Sequence, residues 1–339
     1  MKNEGTLPDL NFAELILPIP LEARFSDPDY YIWCGSTVED DAGKWHLFYS
    51  RWPRRFGFQA WVTHSEIAHA VGESPFGPFQ HRDVALPARD RTFWDGLCTH
   101  NPTVHRFGER YYLYYTGNTG DGVATPGLNW IHRNNQRIGV AVASYPEGPW
   151  ERLDQPLIET TPGFADALCC NNPSITRSFD GNYLVVYKGV GDRGELPFGG
   201  PVVHLVATSS SPTGPFTKHP HPVFLKPGVS FAAEDPFIWS QNGSYWAIVK
   251  DMGGHFTQAG RSLALFSSRD GFDWQLAAHP LVAPTTILWE NGTIESLEAL
   301  ERPQLAFRSG VPIALLCAAQ TLQGDTFNVQ IPLKSTEGE

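Results

Sequence analysis

A short phrase recurs along this chain: a polar or acidic pair, a proline and a hydrophobic strand, followed by a glycine turn and a second, aromatic strand. It stands as His100-Asn101-Pro102-Thr103-Val104, Asn171-Asn172-Pro173-Ser174-Ile175, Glu234-Asp235-Pro236-Phe237-Ile238 and Glu301-Arg302-Pro303-Gln304-Leu305. The prolines are spaced by roughly 60 to 70 residues, longer than a helical repeat and about the length of one four-stranded propeller blade. A chain repeated this way brings every copy of the phrase to one central axis.

The second half of each unit repeats in register with the first. Ser74-Pro75-Phe76-Gly77-Pro78-Phe79, Tyr145-Pro146-Glu147-Gly148-Pro149-Trp150, Ser211-Pro212-Thr213-Gly214-Pro215-Phe216 and Arg269-Asp270-Gly271-Phe272-Asp273-Trp274 each follow an alternating strand such as Ile138-Gly139-Val140-Ala141-Val142-Ala143. Proline presets one turn dihedral and glycine takes the positive one, so these are tight turns between a third and a fourth strand. Gly35-Ser36-Thr37-Val38 and Lys44-Trp45-His46-Leu47-Phe48-Tyr49 give the same skeleton without the proline and make a first unit. With 32 Gly and 28 Pro in 339 residues, the chain interrupts itself too often for long helices. The sequence predicts an all-β, five-bladed β-propeller of four-stranded antiparallel blades around a central funnel.

No linker or charge block divides the chain, so residues 1–339 read as a single catalytic domain. The last unit is one strand short, and Ala13-Glu14-Leu15-Ile16-Leu17, within the segment from about residue 10 to 20, is the expected outer strand that closes the ring and covers the open edge. A net charge of −11 and a pI near 5.5 argue against a nucleic-acid partner, whose phosphates require clustered Lys and Arg. No stretch approaches the roughly 20 apolar residues of a membrane span and the first residues carry no apolar leader, so the expectation is a cytoplasmic protein, or a periplasmic one if a leader was removed. The five cysteines are odd in number and lack CxxC spacing, which suggests buried reduced thiols rather than a disulfide framework or a zinc site.

The repeat also aligns carboxylates. Asp95 and Asp166 each stand six residues before the asparagine of the phrase, and Asp29 stands six before Gly35. The fourth and fifth units have Val229 and Ser296 there but place Glu234, Asp235 and Glu301 beside the proline. Single acidic residues before strands commonly cap turns or pair with arginine; six at repeat-equivalent positions point instead to carboxylates converging on a funnel. There, mutual repulsion raises one pKa and makes an acid of it while a neighbour stays ionised, the pair that glycosidic cleavage needs. Strict alternation places one of Glu234 and Asp235 toward the axis.

Sugars present apolar faces and hydroxyl edges, so Trp33, Trp61, Trp94 and Trp130 are candidate platforms, with Trp33 and Trp94 favoured by their place beside the register positions. Lys250-Asp251-Met252-Gly253-Gly254-His255-Phe256 follows the second strand of the fourth unit and is either a loop over the funnel or a plain turn. His64, Glu66 and His69 with Asp95 and His100 lack tight ligand spacing, so no metal ligand is assigned, no cofactor is required, and a central divalent cation is left open but not indicated.

The proline phrases, the second strands Gly108-Glu109-Arg110-Tyr111-Tyr112-Leu113-Tyr114-Tyr115 and Asp180-Gly181-Asn182-Tyr183-Leu184-Val185-Val186-Tyr187, and the Ser-Pro-x-Gly-Pro-Phe turns resemble the five-bladed propeller glycoside hydrolases of family 43 and its relatives, families 32, 62, 117 and 130. Thr99-His100-Asn101-Pro102-Thr103, Glu234-Asp235-Pro236-Phe237-Ile238-Trp239 and Glu301-Arg302-Pro303-Gln304 look most similar to family 117. That resemblance implies an inverting exo-glycosidase with an acidic role at Asp235 and Glu301. Where family 43 carries its base aspartate, this chain reads Gly35-Ser36, so the base is sought at Asp95 or Asp29.

The expectation is therefore an exo-acting glycoside hydrolase with Asp95 as base, Glu301 or Glu234 as acid and Asp235 orienting the sugar. Asp29, Trp33, Trp94, His100, Asn101, Asp166, Asn172, Lys250, His255, Arg302 and Gln304 are the expected substrate-binding residues. An oligosaccharide is the expected partner, with self-association open. The rival readings are a family 130-like phosphorylase, with Lys250, His255, Arg261 and Arg302 as its basic cluster, and a non-catalytic carbohydrate-binding propeller.

Overall fold

The computed structural model describes residues 10–334. Four of its sheets have four antiparallel strands each, in sequence order from the inside outwards. Blade one comprises Tyr30–Glu39, Trp45–Pro53, Glu66–Gly72 and Gln80–Leu86. Blade two comprises Cys98–Phe107, Arg110–Asn118, Arg137–Ala143 and Glu151–Arg152; blade three, Cys169–Arg177, Tyr183–Val190, Val202–Ser209 and Thr217–Lys218; blade four, Ala233–Gln241, Ser244–Asp251, Ser262–Ser268 and Trp274–Pro284. Blade five holds Ile294–Arg308, Val311–Thr321 and Thr326–Pro332, with Thr286–Leu288 folded back on the start of its first strand. The five first strands surround the axis, and that of blade five contacts that of blade one.

The ring closes through the N-terminal segment, at a different place from the expected one. Residues Phe12–Leu15 form one helical turn capped by the Asn11 side chain, and Ile16 makes only an isolated bridge to Leu333. The outer strand of blade five is Arg24–Phe25, paired antiparallel with Val329 and Asn328. Pro18 and Pro20 explain the shift: proline lacks the ladder donor, so the chain must pass them before it can pair as a strand.

Packing lies between blades. Tyr114, Ile138 and Val140 of blade two meet Ile175, Val185 and Tyr187 of blade three in one buried cluster, and Leu184 and Val186 on the other face of that strand meet Ile238 and Ala247 of blade four. Second strands are thus buried on both faces, which is why they read as continuous hydrophobic runs; each fully buried Val, Leu or Ile contributes about 1.5–3 kcal/mol. The turns before the fourth strands put Gly77, Gly148, Gly214 and Gly271 at φ of 86, 90, 78 and 82°, a region glycine enters without steric cost. All five cysteines are free and buried. Among the described residues, no helix is long and apolar enough to cross a membrane.

Candidate active site

The repeated phrase encodes a β-bulge. In each blade the pairing of first and second strands slips at the same place, between Trp33 and Ser36, His100 and Thr103, Asn171 and Ser174, Glu234 and Phe237, and Glu301 and Gln304. The first bulged residue is left-handed in every blade: Cys34, Asn101, Asn172, Asp235 and Arg302 have φ of 56, 54, 53, 54 and 55°. Proline follows it in four blades, where the ladder is broken and its missing N–H leaves no bond unmade.

These five residues link side chain to side chain around the axis. The Cys34 thiol donates to Asn101 Oδ1 at 3.0 Å, Asn101 Nδ2 donates to Asn172 Oδ1, Asn172 Nδ2 donates to Asp235 Oδ1 at 2.8 Å, and Arg302 donates to that same oxygen at 2.9 Å. Left-handed backbone costs a non-glycine residue roughly 1–2 kcal/mol, and asparagine and aspartate tolerate it best. The bonded ring and the bulge together hold Cys34 and Arg302 there. Burial pushes the Cys34 thiol up to about 12, so it is a packing and bonding group rather than a nucleophile.

Above the ring, the preceding residue of each blade helps line a cavity of about 200 Å³: Trp33, His100, Asn171, Glu234 and Glu301. The loops between second and third strands raise its wall. The turn Phe58–Ala60 and the helix Trp61–His64 bring in Phe58 and Trp61, with Trp61 edge-on to His100 at 5.1 Å between centroids. Gln136, after the helix Trp130–Asn134, accepts from Asn171 and lies 3.2 Å from His100 Nε2. Ser65 Oγ, His100 Nδ1, Asn171 Oδ1 and Arg302 Nε are buried without a hydrogen-bond partner of good geometry among the described residues, and all four belong to cavity-lining residues. Buried polar atoms are normally paired, so four at one cavity point to a polar ligand.

Charge is balanced by contact. Lys188 Nζ lies 2.5 Å from Glu234 Oε1, Lys250 Nζ touches both Glu234, at 3.4 Å, and Glu301, and Arg302 pairs with Asp235. The two glutamates are driven apart in acidity. Burial opposes ionisation of Glu234, but Lys188 and Lys250 outweigh it and hold its carboxyl well below the usual range. Burial raises Glu301, aided by Asp235 and Glu234 and only partly offset by Lys250. Burial, with Arg302 and Lys188 nearby, lowers His100 to about 3, so its imidazole is neutral.

The structure brings together Trp33, Trp61, His100, Asn101, Asn172, Glu234, Asp235, Glu301 and Arg302 in the cavity wall, and Lys250 behind the two glutamates. Both Glu234 and Asp235 line the cavity, because the bulge breaks the alternation that would turn one away. Cys34, Ser50, Trp52, Phe58, Ser65, Gln136, Asn171 and Lys188 complete the wall without having been singled out; only Asn171, inside the repeated phrase, carried a sequence signal for it.

Other expected residues lie elsewhere. Asp95 is fully buried beneath blade two, where Arg89, Arg152 and Tyr115 contact its oxygens at 2.6, 3.2 and 2.8 Å. Asp166 repeats the device in blade three with Tyr187 and Lys218. Both carboxylates tie a second-strand tyrosine to a cation of the fourth strand, which is why they recur in register. Asp29 is exposed and out of register with Asp95, because the bulge equates Cys34, not Gly35, with Asn101. Trp94 stacks on Tyr115 at 5.7 Å inside the blade. Gln304 is buried along the axis, accepting from Thr103 and Ser36. His255 sits on a loop whose backbone N–H groups bond Asp251, outside the cavity wall. Trp130 packs against Phe198 beside a separate groove. Arg261 is exposed and paired with Glu298, so the basic cluster of the phosphorylase reading is not assembled.

No family model matches the sequence, and no curated protein matches it. Solved structures do share its fold. A family 117 glycoside hydrolase of the marine bacterium Zobellia galactanivorans is 16% identical with a TM-score of 0.66, over 97% of this chain and 94% of that one. Another glycoside hydrolase, also 16% identical, reaches 0.70 over the same shares. The Bacillus subtilis arabinanase Arb43A gives 0.60 at 16% identity, covering 91% of this chain and 95% of that one. Likeness at this level establishes the five-bladed fold.

Proposed function

We propose that the protein is an exo-acting glycoside hydrolase whose catalytic pair is Glu301 and Glu234. The observation that carries this is two glutamates on adjacent blades facing one cavity, one shifted toward its acid form and the other held ionised. Environments that push two carboxyls apart are what assign an acid and its anionic partner. The fold shared with solved glycoside hydrolases supports the same reading.

Lys250 touches both carboxylates, and Glu234, held ionised by Lys188 and Lys250 well below the usual carboxylate range, is a weak general base, which favours its direct attack over activation of a water. We therefore read Glu234 as the nucleophile, in place of the inversion that the family resemblance implies. Glu301 gives its proton to the leaving oxygen as Glu234 attacks the anomeric carbon. Glu301 then deprotonates a water that releases the sugar and restores both groups. Asp235 and Arg302 orient hydroxyls, the His100, Asn101, Asn171 and Asn172 edges bond them, and Trp33, Trp61 and Phe58 cover an apolar face. The cavity is small beside the roughly 300–1,000 Å³ of drug-sized sites, which suits one terminal sugar.

A panel of aryl glycosides and oligosaccharides tests this, with the first-formed anomer read by NMR. Glu301→Gln and Glu234→Gln should each lower kcat by about 10³-fold or more while the proteins stay folded. Wild-type turnover in both would sink the assignment. Inversion with both variants dead would move Glu234 from nucleophile to base. Sugar binding without product would support the lectin-like reading, and turnover that requires phosphate the phosphorylase one.

A further inference from the structure

A second recess opens on the same face as the cavity. In blades one and two the loops between second and third strands wall the cavity; residues 193–201 of the corresponding loop in blade three line a groove of about 600 Å³ together with Trp130 and Ser230. Trp130 and Phe198 meet edge to face with ring centroids 6.1 Å apart, and Leu196 and Phe198 remain 62% and 45% exposed. The Arg133 guanidinium lies over both rings, 5.5 and 5.3 Å from their centroids. Arg193 and Glu195 are exposed in the lining, and neither side chain has a hydrogen-bond or ion-pair partner among the described residues.

The groove is held in shape by its own backbone. Gly194 N–H bonds Gly200 O at 3.1 Å and Gly199 N–H bonds Glu195 O at 2.8 Å, and only glycine permits so close a pass, since a Cβ on Gly194 would stand 2.1 Å from Gly199 O. Arg133 Nη1 donates to Phe198 O at 2.7 Å and Asn134 Nδ2 to Pro197 O at 3.0 Å, which fixes the loop against the helix Trp130–Asn134. That helix leads into Gln136, which accepts from Asn171 in the cavity wall. On the other side, Ser230 of the groove precedes Phe231, whose ring centroid is 5.9 Å from Nζ of the cavity-lining Lys188. Groove and cavity therefore adjoin through two segments that serve both.

We propose that the groove binds the sugar units on the leaving-group side of an oligosaccharide whose terminal sugar occupies the cavity, so that the preferred substrate is a chain rather than a single glycoside. This role rests on the hydrolytic reading of the cavity. The CH face of a sugar ring packs on exposed aromatic carbon, which Trp130 and Phe198 offer. Its hydroxyl edge needs donors and acceptors, and Arg193 and Glu195 supply them without first giving up a partner in the protein. At about 600 Å³ the groove falls within the roughly 300–1,000 Å³ of small-ligand sites, a concave shape that favours a sugar over the flatter face of a second protein molecule. Binding energy gained on such remote units is available to orient the terminal sugar for reaction.

Calorimetric titration of the Glu301→Gln protein with unlabelled cello-, xylo-, manno- and arabino-oligosaccharides of one to four units tests the groove without turnover. In the best-bound series, four units should bind about 10-fold tighter than one, or more. Phe198→Ser/Arg193→Ala, on an exposed loop, should bring the two affinities within about two-fold of each other, and Glu195→Ala should remove part of the advantage. Equal affinity for one and four units, no binding of any series, or a length advantage that survives the double variant would overturn the proposal. So would a dimer in sedimentation velocity that the double variant dissolves, which would give the groove to a second copy of the chain. Length-dependent binding without cleavage by the wild type would keep the groove as a sugar site and sink the hydrolytic reading of the cavity instead.

Discussion

Asp95 separates a structural carboxylate from a catalytic one. Its side chain is wholly buried and bonded to Arg89, Arg152 and the Tyr115 hydroxyl. Asp95→Asn keeps the shape, removes the charge and turns an amide NH₂ toward two guanidinium groups. Breaking a buried ion pair by neutralising one partner costs about 3–5 kcal/mol. The arginine side chains keep 17% and 11% exposure and retain the Leu153 and Pro87 carbonyls as acceptors, so the lower end applies. A loss of about 3 kcal/mol is a factor of roughly 10² in the folded-to-unfolded ratio. Urea unfolding followed by tryptophan fluorescence measures the loss, and turnover per folded molecule should stay within a few-fold of wild type. Asp166→Asn should behave alike, since Tyr187 and Lys218 hold it in the same way. Unchanged stability with turnover down a hundredfold would refute the reasoning and return Asp95 to the catalytic centre.

Glu301, raised by burial, supplies its proton below its pKa and loses it as pH rises, so activity should fall on the alkaline side. Lys250 pulls that pKa down, and Lys250→Met should therefore move the descending limb of the kcat profile to higher pH. Ellman's reagent should find none of the five thiols in native protein and all five after denaturation, because burial raises every one and leaves Cys34 at about 12. Asn172→Ala loses the bonds to Asn101 and Asp235 and keeps a side chain at φ 53°; Asn172→Gly loses the same bonds without that strain and should be more stable than the alanine variant by about 1 kcal/mol in urea unfolding.

The proline phrase and the glycine turns were enough to predict a five-bladed β-propeller, because bulges and tight turns are local and leave their mark in neighbouring residues. They also placed Glu234, Asp235, Glu301 and Arg302 at the axis, since every copy of the phrase occupies the inner strand of its blade. What the repeat could not distinguish was direction. Asp95 and Asp166 recur as regularly as the cavity residues, yet their partners Arg152 and Lys218 come from fourth strands that only strand pairing within the blade brings near. Gln136, Lys188 and Phe58 lie outside the phrase, and their neighbours are set by pairing and loop paths across blades. The opposed acidities of Glu234 and Glu301 arise from side chains distant in the chain meeting in a water-poor space, where each charge is felt strongly by the others. Local order was written in the sequence; the protonation states were decided by tertiary contact.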